Sequence, residues 1–414
     1  MPGRTAFGAT ALVALLLGAS LLAGCGGGET PSTTPEDLLQ LSWEQIEEQA
    51  RGQRVTWGMW TGDPKINAYV SGWVSQQLKE RYDIQLDVVS AQGNQIVNLL
   101  LTELEAGKGS SDLDMVWING ETFYQLRQID ALAGPFTDKL PSAAAIDFEN
   151  PFIAYDFQQP VDGYEAPWGN VQLALIYDSE RVAQPPRNPE ELAQWARENP
   201  GRFSFDTAFT GMTFLKSLLI HFAGGPGSLD GPFDEARYAQ ASDRLFAYLE
   251  EIQPFLWKQG QTLPTEVAQL HQLFANGEVD FTMSNNDGEV DNKVLQGILP
   301  QSSRAYVLES GTIQNSHYLG LVKGGQHSAG ALVAINFLLS AEAQYEKMKP
   351  AVWGDGTVLD VQRLPEPWPQ RFGEIPQRER SPKREEIRAY ALQEPAPETM
   401  IRLYEDVRRR LLES

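Results

Sequence analysis

The chain of 414 residues holds one cysteine, Cys25, and four histidines, and its 33 lysines and arginines are outnumbered by 55 aspartates and glutamates. A single cysteine excludes an intramolecular disulfide, so the fold must rest on the size of its core. His221, His271, His317 and His327 lie far apart without ligand spacing, which argues against a zinc or other transition-metal site. A formal charge of −22 argues against nucleic acid and against electrostatic docking on anionic lipid. The sequence has no G-x-S-x-G elbow, no Walker or G-x-G-x-x-G phosphate loop and no internal repeat. The acidic string SNNDGEVDN fails as a calcium loop: with Gly288 at the turn position, Met283 and Val294 fall where oxygen ligands are required.

What is present begins at the N-terminus. Arg4 precedes an apolar stretch from Ala11 to Ala23 that is too short to span a bilayer and suits the core of a signal peptide. The following string, LLAGC, resembles the bacterial lipobox. It predicts a signal peptide over 1–24, lipidation of Cys25, and a flexible tether over 25–41. Removing residues 1–24, whose only charge is Arg4, changes −22 to −23. No other stretch approaches spanning length.

Beyond the tether, strand and helix patterns alternate. RVTWGMW, IQLDVVSA and the run Met115 to Ile118 read as strands, each followed by a segment with helical apolar spacing. Three such units predict a parallel sheet with right-handed crossovers. A strand over Val171 to Tyr177 opens a second alternating unit over 175–310. Within it RFSF reads as a short strand, Glu235 to Ile252 as a long helix, and SNNDGEV as a polar loop after a strand. SHYLGLV then returns as a strand, a Pro-rich stretch covers 350–382, and ETMIRLYEDVRRRLLE closes the chain as a helix.

Several segments resemble the bacterial extracellular solute-binding proteins, family 1, that serve ABC importers. NFLLSAEAQYEKM is similar to their C-terminal FLLSPEAQ signature, and LFANGEVDFTMSNND to the helix, glycine and strand that reach the cleft from the second lobe. VWINGETF, GYEAPWGNVQLALIYD and WARENPGRFSFDTAFTGMTFL resemble more narrowly the YnjB-type branch. The resemblance covers roughly residues 52 to 412. It implies a type II periplasmic-binding-protein fold: two α/β lobes joined by crossing hinge strands, closing on ligand by hinge motion. Lobe 1 is expected over 42–165 and 312–414, and lobe 2 over 166–311. The implied partners are importer permease subunits and, through them, an ATPase, with the membrane reached through the lipid anchor and no cofactor.

On that fold, ligand-facing positions follow strands or start helices. The candidates are Trp60, Thr61 and Gly62; Asn119, Gly120 and Glu121; Trp168, Gly169 and Gln172 at the hinge; Thr210, Gly211 and Met212; Ser284, Asn285, Asn286 and Asp287; and Asn315 and Tyr318 on the return strand. Free N–H groups at the Thr210 helix start would favour an anion or polar oxygen. Each candidate also has a plain structural role: Thr210 as an N-cap, Glu121 as a first-turn acid, Trp60 or Trp168 as core. Trp57, Trp117 and Trp257 are expected to pack. The residue mix suits a thiamine-like cation, a polyamine or a small sugar, in that order. The competing class is a secreted lipoprotein hydrolase using cleft carboxylates, for instance Glu121 against Asp287 or Glu289.

Overall fold

Strand Arg54–Met59 lies between Gln85–Ser90 and Met115–Ile118, parallel to both. Side chains alternate across this sheet. Met115 joins a core cluster with Trp57 and Leu321, whereas Val116 and Ile118 join another with Phe123 and Leu126. Both faces are thus covered, as a parallel sheet requires. The computed structural model describes residues 34–413, so the expected signal peptide and Cys25 lie outside the described residues. The end of the expected tether is ordered, because Thr34 caps helix Pro35–Leu38 and Leu38 is buried in the first cluster.

Thr312–Val322 is the long strand of the molecule. It pairs antiparallel with Met115–Ile118, setting Tyr318 opposite Ile118, and with Glu165–Gln172, setting Gln314 opposite Gln172. These two crossing strands join the lobes, and a bulge between His317 and Tyr318 bends their pairing.

The second lobe has its own sheet, in which Ala174–Asp178 lies between Phe281–Ser284 and Ser303–Tyr306. Its strands run antiparallel, unlike those of the first unit. Two local expectations are corrected here. Arg202 to Phe205 is not a strand, since its backbone groups are used singly: the Arg202 carbonyl accepts from Asp280 N and the Phe203 carbonyl from Trp257 N. The polar loop after Phe281–Ser284 turns at once into helix Glu289–Leu295, which buries Val290 and Val294. The second core includes Phe203, Leu215, Leu245 and Phe281, and the C-terminal helix Pro397–Val407 adds Met400, Leu403 and Val407 to it. That helix was expected with lobe 1, but its apolar stripe is buried with the second lobe.

The Pro-rich stretch crosses between the lobes rather than looping over the surface. Trp353 packs against Trp168 of the crossing strand and against Trp117 and Tyr69 of lobe 1, at centroid distances of 5.2, 5.9 and 6.0 Å. Asn292 of lobe 2 donates its amide to the Trp353 carbonyl. Beneath it, the buried Lys347 ammonium lies 2.6 Å from Asp355 and also donates to the Trp168 and Gly356 carbonyls, and His317 lies 2.9 Å from the same carboxylate. Burial opposes ionisation of Asp355, but His317 and Lys347 hold its carboxyl below the ordinary value.

This packing leaves no room at Gly169, where a Cβ would overlap both the His317 ring and the Asp355 carboxylate. Gly169→Ala should therefore destabilise the protein by about 2 kcal/mol or more. Gly109→Ala, with open space around it, should stay within roughly 0.5 kcal/mol of wild type. Urea denaturation of both variants measures the contrast, and equal midpoints would refute the packing argument.

Candidate functional site

Four groups of the sequence-predicted residues meet the boundary between the lobes. In the first, Trp60 is 43% exposed and its ring lies against Gly62, leaving no space for a Cβ there. Thr61 shares a 2.6 Å hydroxyl contact with Ser90. The next residue, Asp63, caps its helix through Lys65 N and Ile66 N and crosses to lobe 2, where Lys293 donates to it at 2.7 Å. Burial alone would raise the Asp63 carboxyl, but Lys293 and the two backbone donors hold it below its ordinary value. Lys293 also lies 3.2 Å from Glu289, which accepts from Ser284.

In the second group, Gly120 adopts φ 56°, a conformation that favours glycine, and its N–H donates to the buried Asp156 carboxyl. A Cβ at Gly120 would strike Phe157. The Asn119 carbonyl accepts from Thr122 N at 3.1 Å, while its side chain is half-buried. Glu121 starts helix Glu121–Gln128; burial raises its carboxyl, Lys216 opposes that and Glu394 adds to it. Lys216, fully buried on the lobe 2 helix Phe209–Ala223, donates to Glu394 and lies 4.3 Å from the Phe157 ring centroid. Asn315 donates to the other oxygen of Glu394 at 3.1 Å.

The third group joins Thr210 to Asn285, whose amide donates to the threonine hydroxyl at 3.1 Å and whose Oδ1 is buried without a partner. The start of this helix is not free for an anion, a correction to the sequence expectation. Asp206 accepts from Ala208 N at 3.0 Å, and a Cβ at Gly211 would overlap the Asp206 backbone. Met212 is fully buried in the lobe 2 core, and the Asn286 amide oxygen accepts from Gly288 N. Ser284 is likewise occupied, by Glu289 and by Asn286 N.

The fourth group is the hinge. Trp168 is fully buried among Trp57, Trp117, His317 and Trp353, and Tyr318 is fully buried with its hydroxyl on the Ile153 carbonyl at 3.0 Å. Both are core residues here and not ligand-facing ones. The Gln172 amide donates to Thr312 at 3.1 Å. Asp287 is buried and fully engaged: it accepts from Gln172 N, Arg378 Nη1 and Arg384 Nε at 3.2, 2.8 and 3.0 Å. Of the predicted packing tryptophans, Trp57 is fully buried, while Trp117 and Trp257 are half-buried against the cores.

Glu121, Asp287 and Glu289, the carboxylates weighed for a hydrolase, therefore sit in three separate clusters, each beside its own cation. Among the described residues no group of His, Cys, Asp and Glu is placed to hold a metal ion, and no helix is long and apolar enough to cross a membrane. Sequence reading missed the boundary contributions of Lys216, Lys293, Trp353, Arg378 and Arg384. The string WGDG over 353–356 was the available signal, since glycines flanking a carboxylate after tryptophan suit close backbone approach.

Comparison with known proteins agrees with this architecture. The model of a family described as bacterial extracellular solute-binding protein matches residues 73–372. The chain belongs to that family, whose members act outside the cytoplasm. Protein YnjB of Escherichia coli K12 is 36% identical over 328 residues, covering 78% of this chain and 84% of the relative. An ABC transporter substrate-binding protein of Bradyrhizobium japonicum has a similar fold, with a TM-score of 0.62 at 19% identity over 86% of this chain and 99% of that one. PotD, the spermidine/putrescine substrate-binding protein of Streptococcus pneumoniae, gives 0.60 at 15% identity over 87% of this chain and 99% of that one.

Asp156 offers a pH test of the Gly120 turn. Burial pushes its carboxyl up to about 8, against the Gly120 N–H bond that lowers it. A raised folded-state value means that stability is fully present below the unfolded value of 3.8 and is lost as pH rises through about 8. Asp156→Asn keeps an acceptor for Gly120 and removes the titration. The variant should melt above wild type at pH 8, with the gap closing toward pH 4; a gap independent of pH would refute this.

Proposed function

We propose that the protein is the lipid-anchored, extracytoplasmic solute-binding component of an ABC-type importer. It captures a small polar ligand between its lobes by hinge closure and delivers it to a membrane permease coupled to an ATPase. The observation that carries this reading is the contrast between two apolar cores and a polar boundary, crossed among the described residues by two paired strands and the Pro-rich segment. Opening such a boundary exchanges ion pairs for water and leaves both cores intact, which is what a hinge needs. The names of the Bradyrhizobium and Streptococcus proteins point the same way. Cys25 carries the anchor, so Cys25→Ala should release the protein from membranes, as fractionation of cells would read.

The ligand-contacting set proposed is Trp60, Thr61 and Gly62 with Asn119, Glu121, Thr210 and Asn285, the members of the predicted set nearest the boundary that are not wholly consumed by the core. The protein carries out no chemistry on its ligand. Mass spectrometry of ligand released from freshly purified protein identifies the solute, and scattering should show contraction when it is added back. Trp60→Ala and Asn285→Ala should fold normally and weaken binding about tenfold, the scale of one lost hydrogen bond or aromatic contact. Full affinity in both would overturn this placement, and turnover of the ligand would overturn the receptor reading.

A further inference from the structure

Three of the acidic groups at the lobe boundary are already matched by lysines of the same chain. Asp63 has Lys293, Glu394 beside Glu121 has Lys216, and Asp355 has Lys347, with the His317 ring also in contact. A cationic solute entering there finds no uncommitted carboxylate among these groups. The arginines are different. Arg378 and Arg384 share one carboxylate, Asp287, and neither forms another ion pair among the described residues. Arg378 places Nη1 on Asp287 and Nη2 on the Gly354 carbonyl. Arg384 places Nε and Nη2 on Asp287, and its Nη1 makes no hydrogen bond among the described residues.

We infer that Arg378 and Arg384 form the receptor for an oxyanion group, a carboxylate or phosphate, on the transported solute, with Asp287 as its internal stand-in. The inference rests on the solute-receptor reading above and specifies its substrate class. Two guanidinium forks match a planar or tetrahedral oxyanion, and Asp287 already demonstrates the geometry, accepting from three guanidinium nitrogens at 2.8 to 3.3 Å. Arg384 supplies the entry point, because 31% of its side chain is exposed whereas Asp287 is 1% exposed. The neighbouring carboxylates have closer partners of their own: Asp355 is held by Lys347 and His317, and Asp291 by the N–H groups of Glu379 and Arg380 and the Ser381 hydroxyl. An incoming oxyanion meets two guanidinium groups against one carboxylate and can take Arg384 Nη1 while Asp287 keeps its bonds.

Calorimetry on the full-length chain with citrate, inorganic phosphate, spermidine, thiamine and glucose tests this. Citrate or phosphate should bind, and Asp287→Asn should tighten that binding about tenfold by removing the competing carboxylate. Arg384→Gln, which leaves Asp287 its bond to Arg378, should still unfold cooperatively and should weaken oxyanion binding about tenfold or more. Failure of both oxyanions to bind wild type and Asp287→Asn would overturn the inference, as would spermidine or thiamine binding that Asp287→Asn abolishes. A neutral or cationic native ligand recovered from the purified protein would sink the oxyanion receptor and leave the solute-receptor reading standing.

Discussion

The contact between Lys347 and Asp355 holds the rest of the boundary in place. Both groups are fully buried, and desolvation works against each. Such a pair adds little net stability over an apolar replacement, yet removing one partner costs about 3–5 kcal/mol because the other charge is stranded. Its value is positional. Lys347 also donates to the carbonyls of Trp168 on the hinge strand and Gly356 on the crossing segment. One ammonium therefore fixes the segment over 353–356 against the hinge, and that placement brings Arg378 and Arg384 to Asp287.

The aromatic cluster explains why the hinge needs this fixing. Trp168 meets Trp57, Trp117, His317 and Trp353 at centroid distances of 5.5, 5.2, 5.4 and 5.2 Å, mostly edge to face. Such pairs each add about 0.5–1.5 kcal/mol beyond the area they bury. The indole N–H of Trp168 lacks a partner, and the carbonyl of the same residue instead receives Lys347 and Gln344. The lobe 1 side of the hinge is thus rigid and apolar. The lobe 2 side is held by Asp287, Asp291 and Asn292, polar groups that water or solute can replace.

Much of this was legible in the sequence where the controlling contacts are local. The βα units followed from apolar spacing, and Gly120 from the abrupt stop after Ile118. Trp60 and Trp168, both read as candidates that could equally be core, separated completely, one 43% exposed and one buried. What distinguishes them is Trp353, 185 residues beyond Trp168, which no local pattern could report. The same holds for the Thr210 helix start, which reads as an open N-terminus until Asp206 is seen turning back onto it. The second lobe's antiparallel sheet was hidden for a related reason, since strand and helix alternation fixes order but not direction.

The unread part of the sequence was the Pro-rich stretch, and its composition explains why. Proline and glycine suppress periodicity, so a segment that crosses a boundary through single contacts leaves no signal in either the helical or the strand register. Its function is carried by isolated residues whose partners are distant: Trp353 in lobe 1, and Arg378 and Arg384 on Asp287 in lobe 2. The segment is thus rooted in one lobe by an aromatic side chain and in the other by ion pairs together with the backbone bonds of Glu379 and Arg380. Water can replace a guanidinium contact but cannot replace buried aromatic packing, so the ion pairs are the more exchangeable of these contacts. Arg378 and Arg384 belong by these contacts to lobe 2, because the Arg380 carbonyl accepts from Ala305 N and Ile387 is buried against Ala174 and Val307.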